Sequence, residues 1–306
     1  MKVLVTGGAG FIGSNLVREL LERGDDVRVL DNYSTGNRRN ISGLDVEVVE
    51  GELRSYERVH NAVRGVEVVF HLGALGSVPR SVQDPLTSSA VNIEGTLNVL
   101  LAARDEGIRR VVYTASSSIY GVSNPLPLRE TMPPDPISPY GVAKLAAERY
   151  CVSFSRVYDL ETVVLRYFNV FGPRQDPTSQ YAAVVPLFIT AISAEEPVTI
   201  FGDGEQSRDF TYVANVVAAT ADAGSAAEAN GKIMNVAAAA PASVNTLADT
   251  IASILDKPVQ KHYAPPRPGD IRDSWADISE ARRVLGFEPR VSLEEGLRRT
   301  IEFLLG

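Results

Sequence analysis

Thr6-Gly7-Gly8-Ala9-Gly10-Phe11-Ile12-Gly13 stands between the first β-branched run, KVLVT, and a stretch in which Ile12, Leu16 and Leu20 recur on one helical face. That order, strand then glycine turn then helix, constrains the chain more than any other feature. Glycines at 7, 10 and 13 let the backbone turn tightly, approach a pyrophosphate and pack helix on strand, while the helix N-terminus faces the phosphates. Asp31 ends the second apolar run, where a carboxylate binds the adenosine ribose hydroxyls and repels a 2′-phosphate. The expected cofactor is therefore NAD rather than NADP, although Arg38 and Arg39 follow closely. Asn32 and Asn37 are candidate ribose contacts, and Glu52 and Leu53, after the third strand, are placed near the adenine.

The first half continues to alternate strand-like runs (DVRVLD, VEVVEG, VEVVFHL, RRVVYTAS) with helical stretches, the longest around VNIEGTLNVLLAARDEG. Strict alternation implies parallel strands joined by right-handed crossovers. The expected fold is α/β, a Rossmann-type doubly wound parallel sheet with a smaller C-terminal substrate-binding domain. The expected division is 1–166 for cofactor and 167–306 for substrate, with about 205–233 rejoining the first domain. Prolines make APPRPGDIRDSW an extended, ligand-facing loop.

A net charge of −8 disfavours nucleic acid as a partner, so an anionic ligand needs local arginines. The single cysteine, Cys151, forms no internal disulfide, and His60, His71 and His262 show no metal-ligand spacing. No apolar run approaches the roughly 18 residues of a membrane span and no leader precedes the first strand, so a cytoplasmic protein without metal is expected.

Tyr140 and Lys144 lie four residues apart at the start of a helical stretch, hence on one face. An ammonium beside a phenol stabilises the phenolate and lowers its pKa, giving a base that can take a hydroxyl proton as hydride leaves the same carbon. A Tyr-x-x-x-Lys spacing alone is common on helix surfaces. Here it follows the fifth strand, whose end, Thr114-Ala115-Ser116-Ser117-Ser118, puts hydroxyls at the sheet edge where ligands bind.

With these motifs assembled, the chain resembles the extended short-chain dehydrogenase/reductases, and within them the UDP-hexose 4-epimerases. TGGAGFIG, the Asp-Asn at 31–32, SSSIYG, SPYGVAK, LRYFNVFGPRQ, FGDGEQSRDF and RPGDIRDSWAD match in order over nearly the whole chain. The resemblance implies Ser116, Tyr140 and Lys144 as the catalytic set. It adds Leu72, Gly73, Ala74 and Asn92 to the cofactor contacts, with Tyr140 and Lys144. It implies Asn169, Arg208 and Arg267, with Asp270, as contacts to the diphosphate or nucleotide, consistent with the local positive charge an acidic protein needs. Two departures touch cofactor fit: Glu52 replaces the family's usual aspartate, and Gly73 a commoner alanine.

The similar 4,6-dehydratases carry Asp-Glu where this chain has Ser117 and Ser118, which cannot act as an acid/base pair near pH 7. The uronate decarboxylases carry glutamate after the serine and arginine after the lysine, where this chain has Ser117 and Leu145. Epimerisation at carbon 4 is what remains. Ser274 aligns with a position that is a bulky tyrosine in epimerases restricted to glucose and galactose, and a serine leaves room for an acetamido group. LGSVPRSVQDP and DPTSQYAAVVP resemble the UDP-N-acetylglucosamine 4-epimerases, implying contacts from Gly76, Ser77, Ser117, Ala183 and Val184. UDP-GlcNAc/UDP-GalNAc and UDP-Glc/UDP-Gal are the expected substrates. UDP-glucuronate epimerisation and a non-catalytic NAD sensor are the alternatives. A homodimer through the helices around 92–106 and 140–158 is implied by the resemblance, although Ala146, Ala147, Cys151 and Phe154 could equally be buried within one subunit.

Overall fold

The computed structural model describes residues 1–178, 183–266 and 271–306. In chain order, β1 (Lys2–Thr6), α1 (Phe11–Glu22), β2 (Asp26–Asp31), β3 (Glu47–Glu50), α2 (Tyr56–Val63) and β4 (Val68–His71) open the fold. Two short helices, α3 (Val78–Gln83) and α4 (Pro85–Ser89), lead through a π-turn at Ala90–Glu94 into α5 (Gly95–Asp105), then β5 (Arg110–Ser116), α6 (Pro139–Val157) and β6 (Glu161–Tyr167). The remainder comprises β7 (Val170–Phe171), α7 (Val184–Ser193), β8 (Val198–Phe201), β9 (Ser207–Arg208), β10 (Thr211–Tyr212), α8 (Val213–Ala223) and β11 (Ile233–Val236). It closes with β12 (Ala242–Ser243), α9 (Val244–Leu255), β13 (Lys261–Ala264), β14 (Asp273–Ser274), α10 (Ser279–Leu285) and α11 (Leu293–Leu305).

Seven strands form one sheet in the order β11-β6-β5-β4-β1-β2-β3, and every pairing in it is parallel. This is the doubly wound sheet expected from the alternation. Successive β1 side chains go to opposite faces: Val3 and Val5 join the layer packed with α1 and α8, and Leu4 joins the layer of α2 and α5. Both faces are covered, which is why the inner strands read as unbroken apolar runs. Ala147, Cys151 and Phe154 of α6 are buried within the subunit and Ala146 is partly exposed.

The sequence pattern did not show that β11 would be the seventh strand of the main sheet, beyond the expected returning segment at 205–233. It pairs with β6 in register Ile233↔Val164 to Val236↔Tyr167. The rest of the C-terminal half makes small sheets, β12-β9-β14, β13-β8 and β10-β7. A tie between the halves runs through Leu128, whose amide donates to Trp275 O at 2.9 Å and whose carbonyl accepts from Asp277 N at 2.9 Å. Among the described residues, no helix is long and apolar enough to cross a membrane.

Candidate active site

The glycine turn is built by contact as well as by conformation. Gly7 has φ +70°, and a Cβ there would lie 2.8 Å from Gly73 Cα; at Gly13 a Cβ would lie 2.1 Å from Gly7 O. Side chains are excluded at both positions, and Gly10 caps α1 in an extended conformation that leaves the helix N-terminus bare of side-chain caps. Asp31, at the end of β2 and buried, accepts hydrogen bonds from Ala9 N (2.9 Å) and Tyr33 N (2.8 Å). Arg38 is engaged by Glu50 at 2.6 Å and lies over the Tyr33 ring, 3.9 Å from its centroid.

A cleft of about 620 Å³ runs along the carboxyl ends of the strands. It brings together the predicted Gly7, Gly10, Phe11, Ile12, Gly13, Asp31, Asn32, Glu52, Leu53, Leu72, Gly73, Ala74, Gly76 and Ser77. A glycine-walled cradle over a bare helix N-terminus, with a buried carboxylate at one end, fits the diphosphate and ribose of NAD. Thr114, expected at the ligand-facing sheet edge, also lines it, as do Leu30, Ser34, Thr35, Gly51, Arg54, Leu75, Arg80, Thr87, Val91 and Tyr167, which were not anticipated. The Gly51-Glu52-Leu53-Arg54 run was the legible signal for Arg54, which clasps the Glu52 carboxylate.

Four predicted cofactor residues do not line the cleft: Tyr140 and Lys144, which stand together with Ser116, and Asn37 and Asn92. Asn37 caps a short turn, accepting from Arg39 N at 3.0 Å, and its amide holds Ala9 O at 2.9 Å. Asn92 lies behind the cleft wall in the π-turn, donating to Leu75 O at 3.2 Å and accepting from Leu75 N at 2.8 Å. It shapes the loop that carries Leu72 to Gly76. His71 belongs to the same buried frame, with Thr6 Oγ1 at 2.7 Å and Thr96 Oγ1 at 3.0 Å; burial, helped by the Lys144 charge, pulls its pKa to about 3 and keeps it neutral.

Ser116, Tyr140 and Lys144 gather behind the part of the cleft wall formed by Thr114 and Tyr167, without lining it themselves. Ser138 caps α6 by accepting from Gly141 N at 3.1 Å and Pro139 occupies the first turn, which sets Tyr140 at the helix start. The Tyr140 amide donates to Ser81 Oγ at 3.0 Å, and its phenol lies near enough to the Ser116 hydroxyl for that hydroxyl to ease its ionisation. Ser118 donates to Ser116 Oγ at 2.9 Å, and Ser116 also caps the turn that begins at Ser117. Lys144, 4% exposed, donates to Thr114 O at 2.8 Å, its Nζ 6.0 Å from the Tyr140 ring centroid.

One expectation is corrected here. Proximity to Lys144 was expected to lower the Tyr140 pKa; instead burial pushes the phenol up, partly offset by Ser116, and burial pushes Lys144 down to about 8. Desolvation outweighs the attraction because the ammonium is turned toward the Thr114 carbonyl rather than the phenol oxygen.

The substrate-side residues are more dispersed. Asn169, exposed with φ +30°, accepts from Thr211 N at 3.2 Å, and Ala183 and Val184 begin α7. Arg208 on β9 lies beside Ser274 on β14 and donates to Arg272 O at 2.8 Å. Ser274 is buried. A second cavity of about 470 Å³, between Phe201, Gln206, Pro266 and Arg272, was not anticipated. Arg267 and Asp270 lie outside the described residues.

Residues 3–237 match the NAD dependent epimerase/dehydratase family. A UDP-glucose 4-epimerase of Mycolicibacterium smegmatis is 40% identical, covering 99% of this chain and 98% of its own. The structure of Thermotoga maritima UDP-glucose 4-epimerase with UDP-glucose superposes with TM-score 0.95 at 40% identity, covering 99% of this chain and 98% of that one. That of Methanobrevibacter ruminantium UDP-N-acetylglucosamine 4-epimerase in complex with UDP-N-acetylmuramic acid superposes with TM-score 0.94 at 39% identity, covering 99% and 98%.

Proposed function

Because the chain belongs to the NAD dependent epimerase/dehydratase family, we propose that it inverts carbon 4 of UDP-hexoses, interconverting UDP-GlcNAc with UDP-GalNAc and UDP-Glc with UDP-Gal. The observation that carries this reading is the gathering of Ser116, Tyr140 and Lys144 next to the NAD cleft, where Thr114, the acceptor for Lys144, lines the wall. The glycine cradle holds the diphosphate and Asp31 the adenosine ribose. NAD, when bound, supplies the hydride acceptor and, after the sugar turns, the hydride donor, so no external reductant is consumed.

Tyr140 takes the proton of the C4 hydroxyl, and Ser116 holds the reacting oxygen and relays that proton. Lys144, when protonated, stabilises the negative charge that develops on the phenolate without itself bonding the substrate. The resulting 4-keto sugar turns over, presents its other face, and Tyr140 returns the proton. Ser117 and Ser118 offer hydroxyls where a dehydratase needs a carboxyl pair.

The division into an NAD-binding part, 1–166 rejoined by about 205–233, and a nucleotide-sugar-binding part, 167–306, is supported by α8, which packs with α1 on the Val3 and Val5 face of the sheet, while β11 extends the return to Val236. Arg208, with Arg267, Asp270 and Asn169, is assigned to the nucleotide diphosphate. The cavity between Phe201 and Arg272 suits a base stacked on an aromatic ring beside that charge. Gly76, Ser77, Ala183 and Val184 are assigned to the sugar, and the small side chain at Ser274 supports acceptance of an N-acetyl group. We assign a cytoplasmic, homodimeric protein. Val142, Tyr150 and Val157 are exposed along one side of α6, an apolar stripe suited to a second copy. A monomer mass in light scattering would remove the dimer.

Incubation with UDP-GlcNAc, UDP-Glc and UDP-GlcA separately, with products followed by NMR, tests the reaction. Failure to epimerise any of them overturns it. Turnover of the acid alone would favour UDP-glucuronate epimerisation, for which Arg80 in the cleft wall provides a carboxylate partner.

A further inference from the structure

Arg166 and Glu148 form a two-point ion pair, Nε to Oε2 at 2.8 Å and Nη2 to Oε1 at 2.7 Å, with side chains 1% and 0% exposed. Neither side chain lines the NAD cleft. Burying two charges costs desolvation that their attraction does little more than cancel, and an apolar pair of similar volume is often as stable or more so. Such a pair is a weak stabiliser; its attested use is to select one packing register over others.

Its position in the fold suits that use. Glu148 lies one turn beyond Lys144 on α6, on the same side of the helix. Arg166 lies on β6 opposite Ala115 and next to Tyr167, which pairs with Ser116 and lines the cleft. The guanidinium is held over the Tyr120 ring, 4.7 Å from its centroid, and the Tyr120 hydroxyl donates to Asn235 Oδ1 on β11 at 2.7 Å. Arg166 is therefore fixed by the sheet and by Tyr120, independently of α6. Arg149 reaches Glu148 at only 3.6 Å from an exposed position and does not duplicate the fork. Of the other ties of α6, Tyr140 N to Ser81 Oγ and Lys144 Nζ to Thr114 O are made by the reacting residues themselves, and Thr162 Oγ1 on β6 donates to Cys151 O at 2.8 Å, nearly two turns beyond Lys144.

We propose that the Glu148–Arg166 pair is a positioning latch for the reaction. It fixes the rotation and axial position of α6 against β5 and β6, so that the Tyr140 phenol meets Ser116 and Lys144 meets Thr114. The proposal rests on the reading of Ser116, Tyr140 and Lys144 as the reacting set.

The test replaces both charges by apolar side chains of similar size, Glu148→Leu with Arg166→Met, beside the single variant Arg166→Lys, which keeps the charge and loses the planar fork. The double variant is expected to melt at or above the wild-type temperature, with NAD affinity and KM within about threefold and kcat reduced at least about tenfold; Arg166→Lys falls between. A double variant with kcat within about twofold of wild type overturns the latch. Silence of the wild-type enzyme on every UDP-hexose would instead sink the functional reading. The latch is then decided by a crystal structure of the double variant: a displaced Tyr140 supports it, and a Tyr140 still beside Ser116 overturns it.

Discussion

Lys144 Nζ donates a 2.8 Å hydrogen bond to the carbonyl of Thr114, and burial pushes its pKa from the 10.5 of an ordinary lysine to about 8. Between those two values the unfolded chain binds a proton that the folded chain has released, so stability rises with pH across the window and the penalty is fully present below pH 8. Lys144→Met is expected to raise stability at pH 7 by about 2 kcal/mol after the lost hydrogen bond is discounted, and to lower turnover at least about a hundredfold. Melting curves from pH 7 to 10.5 should show the gain shrinking as pH rises. A gain that is absent, or constant with pH, contradicts the buried charge.

Tyr140→Phe removes the proposed base while leaving the helix cap and the Ser81 contact to the Tyr140 amide intact. Turnover should fall by about a thousandfold or more with NAD still bound, as measured by NMR of the sugar and by cofactor release on denaturation. Unchanged turnover would take Tyr140 out of the mechanism.

Ser118 stands 2.9 Å from the Ser116 hydroxyl and can partly take its place. Ser116→Ala is expected to cost about tenfold in kcat, Ser118→Ala less than about threefold, and the double substitution more than the product of the two. Simple multiplicative losses would show that Ser118 does not substitute.

Asp31→Ala leaves the amides of Ala9 and Tyr33 without their acceptor and removes the ribose ligand. Unpairing those amides lowers fold stability by roughly 1–3 kcal/mol, whereas losing the charged hydrogen bonds to the ribose, worth about 1.5–3 kcal/mol, should weaken NAD affinity about tenfold or more by titration calorimetry. An unchanged Kd would move the adenosine ribose away from β2.

Ser274→Tyr fills space at a buried position beside Arg208. The kcat/KM for UDP-GlcNAc should fall at least about tenfold relative to that for UDP-glucose. Equal losses on both sugars would mean that pocket volume at Ser274 does not select the sugar.

The chain's own order of residues determined the glycine turn, the strand-helix alternation and the four-residue step from Tyr140 to Lys144. These follow from local rules: a Cβ that does not fit, a two- or 3.6-residue period, a helical face. They told which faces would be buried, but not against what. The tertiary structure alone decided that β11 would complete the sheet, that Asn92 would hold Leu75, and that Lys144 would turn to Thr114 so that burial raises the Tyr140 phenol. It also paired Glu148 with Arg166. Each of these depends on which partner a buried polar group finds across the fold, and in a desolvated interior that choice is set by distance and orientation, which no spacing along the chain encodes.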